Sequence, residues 1–312
     1  MRELFSTRSN HLIDPGLFIW GWEIPVYLFF GGLVAGFMII SGYFTFKGHH
    51  KHSSFSSFYL PHLSLLFLTL GMFALFLDLE HKLYVWRLYT TFKWKSPMSW
   101  GSWILLLVYP ALWLNTLVSI PGPFRNRIPF FDKVSEYINR FPALIKNIGV
   151  LNMLTGAILG MYTGILLSAF NARPFWNSAI LGPLFLVSGL STGLALNLLL
   201  SRHEKEQRTL GRIDVMAISV ELFLIIHLFM GLLASAQVHI SAAQLFLGGP
   251  YTAPFWIFVV ALGLVLPAVI ELLEARGMVL PSKIPALLVL MGGLLLRFIV
   301  VEAGQASHWA AQ

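Results

Sequence analysis

"IPVYLFFGGLVAGFMIISGYFTF", residues 24–46, runs for 23 residues without a charged side chain. A helix needs about 20 mostly apolar residues to cross a bilayer, so this run predicts a transmembrane helix. Further mostly apolar runs lie at residues 60–80, 99–120, 147–170, 174–200, 214–236, 254–275 and 284–302. The sequence therefore predicts an all-α integral membrane protein. Its eight transmembrane helices form one bundle, a single domain over residues 1–312.

Composition excludes a soluble protein and several kinds of metal centre. Only 11% of the residues are charged and 57% are hydrophobic, whereas a soluble domain has about 25% charged residues. The chain has no cysteine, which excludes disulfides, thiolate zinc sites and iron–sulfur clusters of its own. A transmembrane haem needs paired axial histidines, but the predicted spans contain only His62 and His227, at different depths. We therefore expect no haem and no metal site in this chain.

The charge distribution predicts the orientation in the membrane. The net charge is +7, and in a membrane protein such an excess marks cytoplasmic loops rather than nucleic-acid binding. The loops after spans 1, 3, 5 and 7 carry 13 Lys/Arg residues, against 7 in the N-terminal segment and the other loops. Both termini are therefore predicted to be periplasmic. The connector after span 2 then faces outward, despite its four basic residues.

Polar side chains of several spans are predicted to meet at the outer membrane edge. Glu23 and Tyr27 lie one turn apart at the start of span 1, and Asp78 and His81 lie three apart at the end of span 2. Tyr162 falls in the outer half of span 4. Ionisable groups are costly in a bilayer, which makes them functional candidates. Each of them singly fits an ordinary interfacial residue, but their common depth predicts a shared pocket.

A second polar set lies in the later spans. Glu221 of span 6 and Glu271 of span 7 are placed toward the cytoplasmic side, with His227 near mid-depth. Glu221 and His227 are separated by about 120° around the helix, so they do not share a face. A proton path through these residues and a set of structural hydrogen bonds remain two open interpretations. On the first, the chain would be an ion-coupled transporter or a conformational proton carrier.

Two further patterns concern packing and surface. "GGLVAG" in span 1 and "SGLSTG" in span 5 contain closely spaced glycines that permit tight helix contacts. The long loop at residues 121–142 mixes Phe, Ile and Val with Arg and Lys at helical spacing. This loop is predicted to be either a short amphipathic helix on the inner membrane surface or a solvated connector.

Four stretches resemble one family of membrane proteins. They contain "WGWEIPVYLFFGGLVAG" (20–36), "DLEHKLYVWRL" with "SPMSWGSWIL" (78–105), "YTGILLSAFNARPFWNSAILGPLFLVSGLSTG" (162–193) and "LLRFIVVEAGQ" (295–305). Together they are similar to the NrfD/PsrC family, the quinone-reactive membrane subunits of polysulfide-reductase-type complexes. The stretches keep the family's order along nearly the whole chain.

The resemblance implies a respiratory function in a bacterial or archaeal cytoplasmic membrane. Such a subunit binds menaquinone or ubiquinone near the outer surface and exchanges electrons with a ferredoxin-like subunit that carries [4Fe–4S] clusters. A molybdopterin or multihaem catalytic subunit holds the terminal catalytic centre, which this chain lacks. The connector at residues 78–100 is then the expected docking place of the iron–sulfur subunit on the periplasmic face. Proton translocation is a further possibility of this division of labour.

The resemblance also assigns candidate site residues. In the family the quinone is held by an Asn and a His of span 1 and a Tyr of a later span. Alignment on "GGLVAG" puts Ile24 and Tyr27 in place of the Asn and the His, so the headgroup contacts differ in part here. The later Tyr corresponds to Tyr162. We therefore expect Tyr27 and Tyr162 to bind the quinone headgroup. The groups expected to exchange protons are Glu23, Asp78 and His81.

Overall fold

Long apolar helices dominate the structure, a computed structural model that describes residues 20–48, 55–119, 129–201, 204–276 and 283–308. Within these ranges eight helices are long and apolar enough to cross a membrane. They are α1 (Glu23–Phe46), α2 (Leu60–Asp78), α3 (Pro97–Val118), α4 (Pro142–Ser168), α5 (Leu181–Leu200), α6 (Glu204–Leu233), α7 (a π-helix, Pro254–Val265, continued by an α-helix, Leu266–Ala275) and α8 (Lys283–Ala306). The predicted all-α membrane fold with eight spans is confirmed.

The start of the first spanning helix and the end of the last one lie on the same side of the bundle, which we call the upper end. The backbone N–H of Trp20 donates to Gln305 Oε1 (2.9 Å), and Gln305 Nε2 donates back to the Trp20 carbonyl (3.1 Å). This reciprocal pair ties the start of α1 to the end of α8. Residues 1–19 and 309–312 lie outside the described part of the chain, and the periplasmic location of the upper end stays a prediction.

The helices form two four-helix groups. Helices α1 to α4 pack around one another, as do α5 to α8, and the two groups meet where α1 and α4 contact α5 and where α1 contacts α8. The most apolar part of α1 is 78% buried, against 28% for α7. Helix α1 is therefore the central helix, whereas most of α7 faces away from the protein.

Glycines allow α1 and α5 to cross at close range. A Cβ built on Gly189 would lie 2.6 Å from the Gly32 carbonyl oxygen, and one built on Gly193 would lie 3.0 Å from Gly36 Cα. Backbones approach this closely only where no side chain intervenes. The packing role predicted for both glycine motifs is confirmed, and the structure adds that the two motifs pack against each other.

Helix α7 departs from regular α-helical geometry over its upper half. The π-helical part runs from Pro254 to Val265, which is long for a geometry that is usually limited to single-turn bulges. Its last turns approach α8 closely, because a Cβ on Gly263 would lie 2.7 Å from Gly292 Cα. A 3.6-residue period cannot predict which side chains of such a segment face the bundle.

The predicted start of the fifth span at residue 174 was wrong, because α5 begins at Leu181. The apolar residues before it are buried in a non-helical segment rather than in a helix. Trp176 Nε1 donates to the Val300 carbonyl (2.8 Å), and Arg173 Nη1 donates to the Gln305 carbonyl (2.6 Å). Burial lowers the pKa of Arg173. The segment is thus fixed by α8, which accounts for its hydrophobic composition.

Helix α6 begins at Glu204, ten residues before its predicted start at 214. Hydropathy does not detect these first turns because they are rich in charged residues. They are held by polar contacts at the lower end of the bundle. Glu206 Oε1 accepts from the Ser56 backbone N–H (3.1 Å), and Asn197 Nδ2 donates to Ser56 Oγ (2.6 Å).

The loop between α3 and α4 contains the predicted amphipathic helix, at Pro129–Asn139. It packs against α3 and α4 at the lower end of the bundle. Ile138 is buried, whereas the neighbouring Tyr137 is exposed. The helix is confirmed, while residues 120–128 of the same loop lie outside the described part of the chain.

Candidate functional site

The upper end of α1 carries the first two candidate residues. Glu23 stands in the first turn, where unpaired backbone N–H groups favour a negative charge, and its carboxylate folds back against Gly21. Tyr27 follows one turn below on the same face. It is 4% exposed, and its ring packs beside Gly71 of α2. Helix α1 thus places a carboxylate directly above a buried phenol.

Asp78 adds a second carboxyl group at this level. It is the last residue of α2 and is half-buried. Its carboxyl group lies close enough to Glu23 for their charges to interact. The structure therefore brings Glu23 and Asp78 together as predicted from their depth, and the pair offers two proton acceptors above Tyr27.

His81 does not share a helical face with Asp78, which corrects the argument from their spacing. Helix α2 ends at Asp78, and Leu79 is extended (φ −69°, ψ 124°). The i, i+3 relation therefore does not apply to this pair. His81 is exposed on the connector, and its ring meets Tyr84 edge-on at 6.4 Å.

Tyr162 is buried near the upper end of α4, where its hydroxyl is already engaged. It is 6% exposed and donates to the Pro97 carbonyl at the start of α3 (2.9 Å). Gly101 permits this position, because a Cβ there would overlap the Tyr162 ring and hydroxyl. Tyr162 thereby ties α4 to α3, and a headgroup bond from this phenol requires the Pro97 contact to open.

Two further tyrosines, which the sequence argument missed, surround the same place. Tyr89 of the connector lies near Tyr27, Tyr109 of α3 lies near Tyr89, and Tyr162 lies near Tyr27. Burial, and secondarily Tyr109, raises the pKa of Tyr89, so this phenol remains a neutral hydrogen-bond donor. Tyr89 lies in a short helix, Arg87–Thr90, inside the charged connector. The sequence of the connector contains no pattern that predicts an inward-facing side chain at Tyr89.

An apolar groove lies on the other side of Tyr162, between α3 and α4. It has a volume of about 370 Å³. Its lining includes Trp100, Ile104, Ile158, Met161, Tyr162 and Ile165. Above it, Trp100 Nε1 donates to the Trp94 carbonyl (2.9 Å), and the two indole rings lie 4.7 Å apart. The groove is therefore an apolar recess beside Tyr27, Tyr89, Tyr109 and Tyr162, which we call the phenol cluster, and the rings of Trp94 and Trp100 lie at its upper edge.

The connector itself presents an exposed surface, residues 79–96, which we call the connector surface. Leu83 is 89% exposed and Trp94 70% exposed, with Trp86 and Tyr84 also exposed. The same segment carries four Lys/Arg residues and one Glu. Large exposed apolar side chains beside charges are typical of a protein-binding surface.

A second polar site lies inside the group formed by α5 to α8. Asp214 and Glu221 of α6 are seven residues apart, so they share a face and are separated by about 10 Å along the axis. Asp214 is fully buried, and its Oδ1 accepts from Ser191 Oγ (2.7 Å). Glu221 is buried beside Ser188. Asp214 was not among the predicted site residues because it is the first residue of the predicted span, although its seven-residue spacing from Glu221 is visible in the sequence.

Arg297 of α8 supplies the positive charge of this site. It is fully buried and interacts with Glu221. Its Nη1 donates to Ser188 Oγ (2.6 Å) and to the Gly293 carbonyl (2.8 Å), and its Nη2 donates to the Phe185 carbonyl (3.4 Å). The structure places its guanidinium group between α5 and α8.

Glu271 of α7 joins the site through Asp214. The two carboxyl groups lie close enough for their charges to interact, and Asp214 Oδ2 and Glu271 Oε2 have no hydrogen-bonding partner among the described residues. Two neighbouring carboxylates repel each other, and a proton on one of them removes this repulsion.

His227 is not brought into this acidic site. Its Nδ1 contacts the Phe223 carbonyl (2.9 Å), and the centroids of its ring and the Phe223 ring lie 3.9 Å apart, with the ring planes tilted by 40°. Phe223 is exposed. The angular separation of Glu221 and His227 seen in the sequence thus directs the imidazole to a different face of α6.

Comparison with known proteins identifies the family. The family described as "Polysulphide reductase, NrfD" matches residues 11–308. This chain belongs to the NrfD family. Among relatives, Protein NrfD of Escherichia coli (strain K12) is 28% identical over 93% of this chain and 96% of its own length. One of the chains of polysulfide reductase from Wolinella succinogenes is 30% identical over 92% of this chain and 94% of its own length.

A more distant NrfD relative belongs to another reductase. It is one of the subunits of selenate reductase from Mesobacillus selenatarsenatis, 24% identical over 93% of this chain and 75% of its own length. The names of these last two relatives designate components of reductases with different substrates. The resemblance inferred from the four sequence stretches is confirmed, and the protein is a multi-pass membrane protein of this family.

Proposed function

We propose that this chain is the quinone-reactive membrane subunit of a respiratory reductase complex. The observation that carries this proposal is the buried Tyr27 phenol below the Glu23–Asp78 carboxyl pair. A quinol delivers two electrons and two protons, so its site needs hydrogen-bonding partners for buried oxygens and groups that accept protons. Phenols and carboxylates supply both functions. The residues present therefore fit menaquinone or ubiquinone.

The side chains take separate roles in this proposal. Tyr27 donates a hydrogen bond to a headgroup oxygen, and Glu23 and Asp78 accept protons at the upper end. Tyr89 adds a neutral phenol from the connector. Tyr162 binds the headgroup once its contact with Pro97 opens, and otherwise fixes the wall between α3 and α4. His81, exposed beside Tyr84, passes protons to the aqueous phase.

Electrons leave through a partner subunit that docks on the connector surface. The chain has no cysteine, so a thiolate-held cluster has to belong to another subunit. We assign that role to a ferredoxin-like subunit with [4Fe–4S] clusters, because the connector surface lies directly above the phenol and carboxyl groups. A molybdopterin or multihaem subunit completes the complex. Two relatives are named as single components of a polysulfide reductase and of a selenate reductase, which supports a complex of several chains.

The bacterial relatives support a location in the cytoplasmic membrane of a bacterium or archaeon, and the charge distribution supports an orientation within it. In this proposal the 13 Lys/Arg residues of the odd-numbered loops face the cytoplasm, and the upper end and the connector surface face the periplasm. The four basic residues of the connector contribute to partner binding there rather than to orientation.

A second function, proton conduction, is favoured by the acidic site in α6 and α7. Asp214, Glu221 and Glu271 form a buried file from the lower end of the bundle toward Arg297. Two of their oxygens lack a donor among the described residues, and groups of this kind inside a membrane mark proton paths. In this proposal the file gives protons access to the bundle from the cytoplasmic side, without His227.

The proposed quinone site is tested by substitutions at the upper end in the assembled complex. Glu23→Gln and Asp78→Asn remove proton acceptors, and at least one of them should lose about 10²–10⁴-fold in quinol-dependent turnover. Tyr27→Phe should weaken quinol binding about two- to tenfold, the effect of one hydrogen bond. Turnover from a soluble dye that reduces the partner subunit directly should persist in all three variants. Parental quinol kinetics in every variant would place the quinone site elsewhere.

A further inference from the structure

The groove between α3 and α4 is built to hold an apolar chain. Tyr162 is the polar side chain of its lining, and its hydroxyl is already bonded to the Pro97 carbonyl. The other side chains toward the groove are aliphatic, aromatic or sulfur-containing. A quinone ring would leave its oxygens without donors there, which is unfavourable in an apolar environment. The volume of about 370 Å³ falls in the lower part of the range of ligand pockets.

Tyr162 separates this groove from the phenol cluster. Tyr162 lines the groove, and Tyr27 lies near its phenol in the interior. The groove and the place assigned to the headgroup therefore meet at a single side chain. A phospholipid acyl chain would also fit an apolar recess, but a phospholipid headgroup is not expected to bind on the Tyr27 side of Tyr162.

We infer that the groove binds the isoprenoid tail of the quinone and that the headgroup reaches Tyr27 between α3 and α4. This inference rests on the proposed quinone function and adds the route and the tail contacts to it. Ile104 of α3 and Ile158 of α4 contact the tail from opposite walls. Trp100, fixed by its bond to Trp94, covers its upper end at the membrane interface.

The test uses the assembled complex in liposomes and two quinols with the same ring, one with a long isoprenoid tail and one without a tail. Ile158→Trp fills the groove from α4, at a position that is 47% exposed. The matched control is Ile226→Trp on α6, 55% exposed and outside the groove. Ile158→Trp should raise KM for the long-tail quinol about tenfold, the equivalent of about two buried methylene groups. KM for the tail-less quinol and dye-dependent turnover should stay at the parental values.

Other outcomes overturn the inference. Equal KM values for both quinols in Ile158→Trp and the parent would show that the tail does not use the groove. An equal rise for both quinols would mean that the substitution disturbs the headgroup site. Loss of a tightly bound phospholipid, with KM for the long-tail quinol unchanged, would assign the groove to lipid. If the parent complex oxidises neither quinol, the proposed function itself is wrong.

A measurement on the parent complex covers the case in which Ile158→Trp does not assemble. Quinols with increasing numbers of isoprene units should show a KM that falls over the first few units and then levels off, because the groove is finite. A photoreactive group on the tail should label peptides of α3 or α4. Labelling confined to other helices would overturn the inference.

Discussion

Replacing Arg297 by Met separates the two ways in which this buried side chain stabilises the second helix group. Its hydrogen bonds to Ser188 Oγ and to the carbonyls of Gly293 and Phe185 are lost. Hydrogen bonds between membrane helices contribute about 0.6 kcal/mol each on average, roughly 1 kcal/mol for the two bonds to α5, whereas the bond to Gly293 lies within α8. Loss of the positive charge also removes the cation near the buried Glu221. If Glu221 is ionised, we expect a cost of about 3–5 kcal/mol, as for one member of a buried charge pair. The charge effect is therefore expected to dominate.

Two companion variants make the comparison quantitative. Arg297→Lys keeps the charge but loses the forked geometry, so we expect a loss of about 1–2 kcal/mol from weakened hydrogen bonds. Arg297→Met should lose about 3–5 kcal/mol. The double variant Arg297→Met with Glu221→Gln should recover part of this loss, because no unpaired charge remains buried. The free energy of unfolding is measured on the purified protein in mixed detergent micelles of increasing denaturing fraction, followed by tryptophan fluorescence.

The order of the unfolding free energies of these variants shows whether Glu221 carries a charge that depends on Arg297. If Arg297→Met is as stable as Arg297→Lys, or if Glu221→Gln does not improve Arg297→Met, Glu221 carries no charge that depends on Arg297. The pairing described for α6 and α8 would then be a hydrogen-bond arrangement without an ion pair.

Three further outcomes are expected. A reporter fused after Gln312 should be active only if it works in the periplasm, since 13 Lys/Arg residues lie in the odd-numbered loops; activity of a cytoplasm-specific reporter would reverse the orientation. Glu221→Gln should abolish proton translocation in vesicles while quinol turnover by the complex persists. Ser219→Ala, at an exposed position of the same helix, should change neither. A membrane potential equal to the parental one in Glu221→Gln would show that Glu221 has only a structural role. Charge reversal of Lys93 and Lys95 should reduce assembly with the partner subunit at low salt, because opposite charges accelerate and orient docking. The same change at Lys133 and Lys146 of the lower end should leave assembly unchanged. An equal loss of assembly in both variants would show that the connector surface is not the docking place.

The sequence by itself determined the eight spans, their order and the family. Membrane insertion depends on the local apolar content of about 20 consecutive residues, which can be determined for each segment independently of the others. The close packing at the glycine motifs of α1 and α5 was also predictable from the sequence, since a helix with a small residue at every fourth position permits close packing wherever it is placed. The polar groups at the upper end shared a level for the same reason, because depth follows from position along a span.

Only the tertiary structure decided which of these groups face one another. Asp78 and His81 were separated by the end of α2 at Asp78, a backbone event that hydropathy does not register. Arg297 of α8 lies near Glu221 of α6, and these two residues are far apart in the sequence. Their contact depends on how each helix is rotated about its axis. In α7 the π-helical segment changes that rotation, so no α-helical period would have predicted that Glu271 meets Asp214.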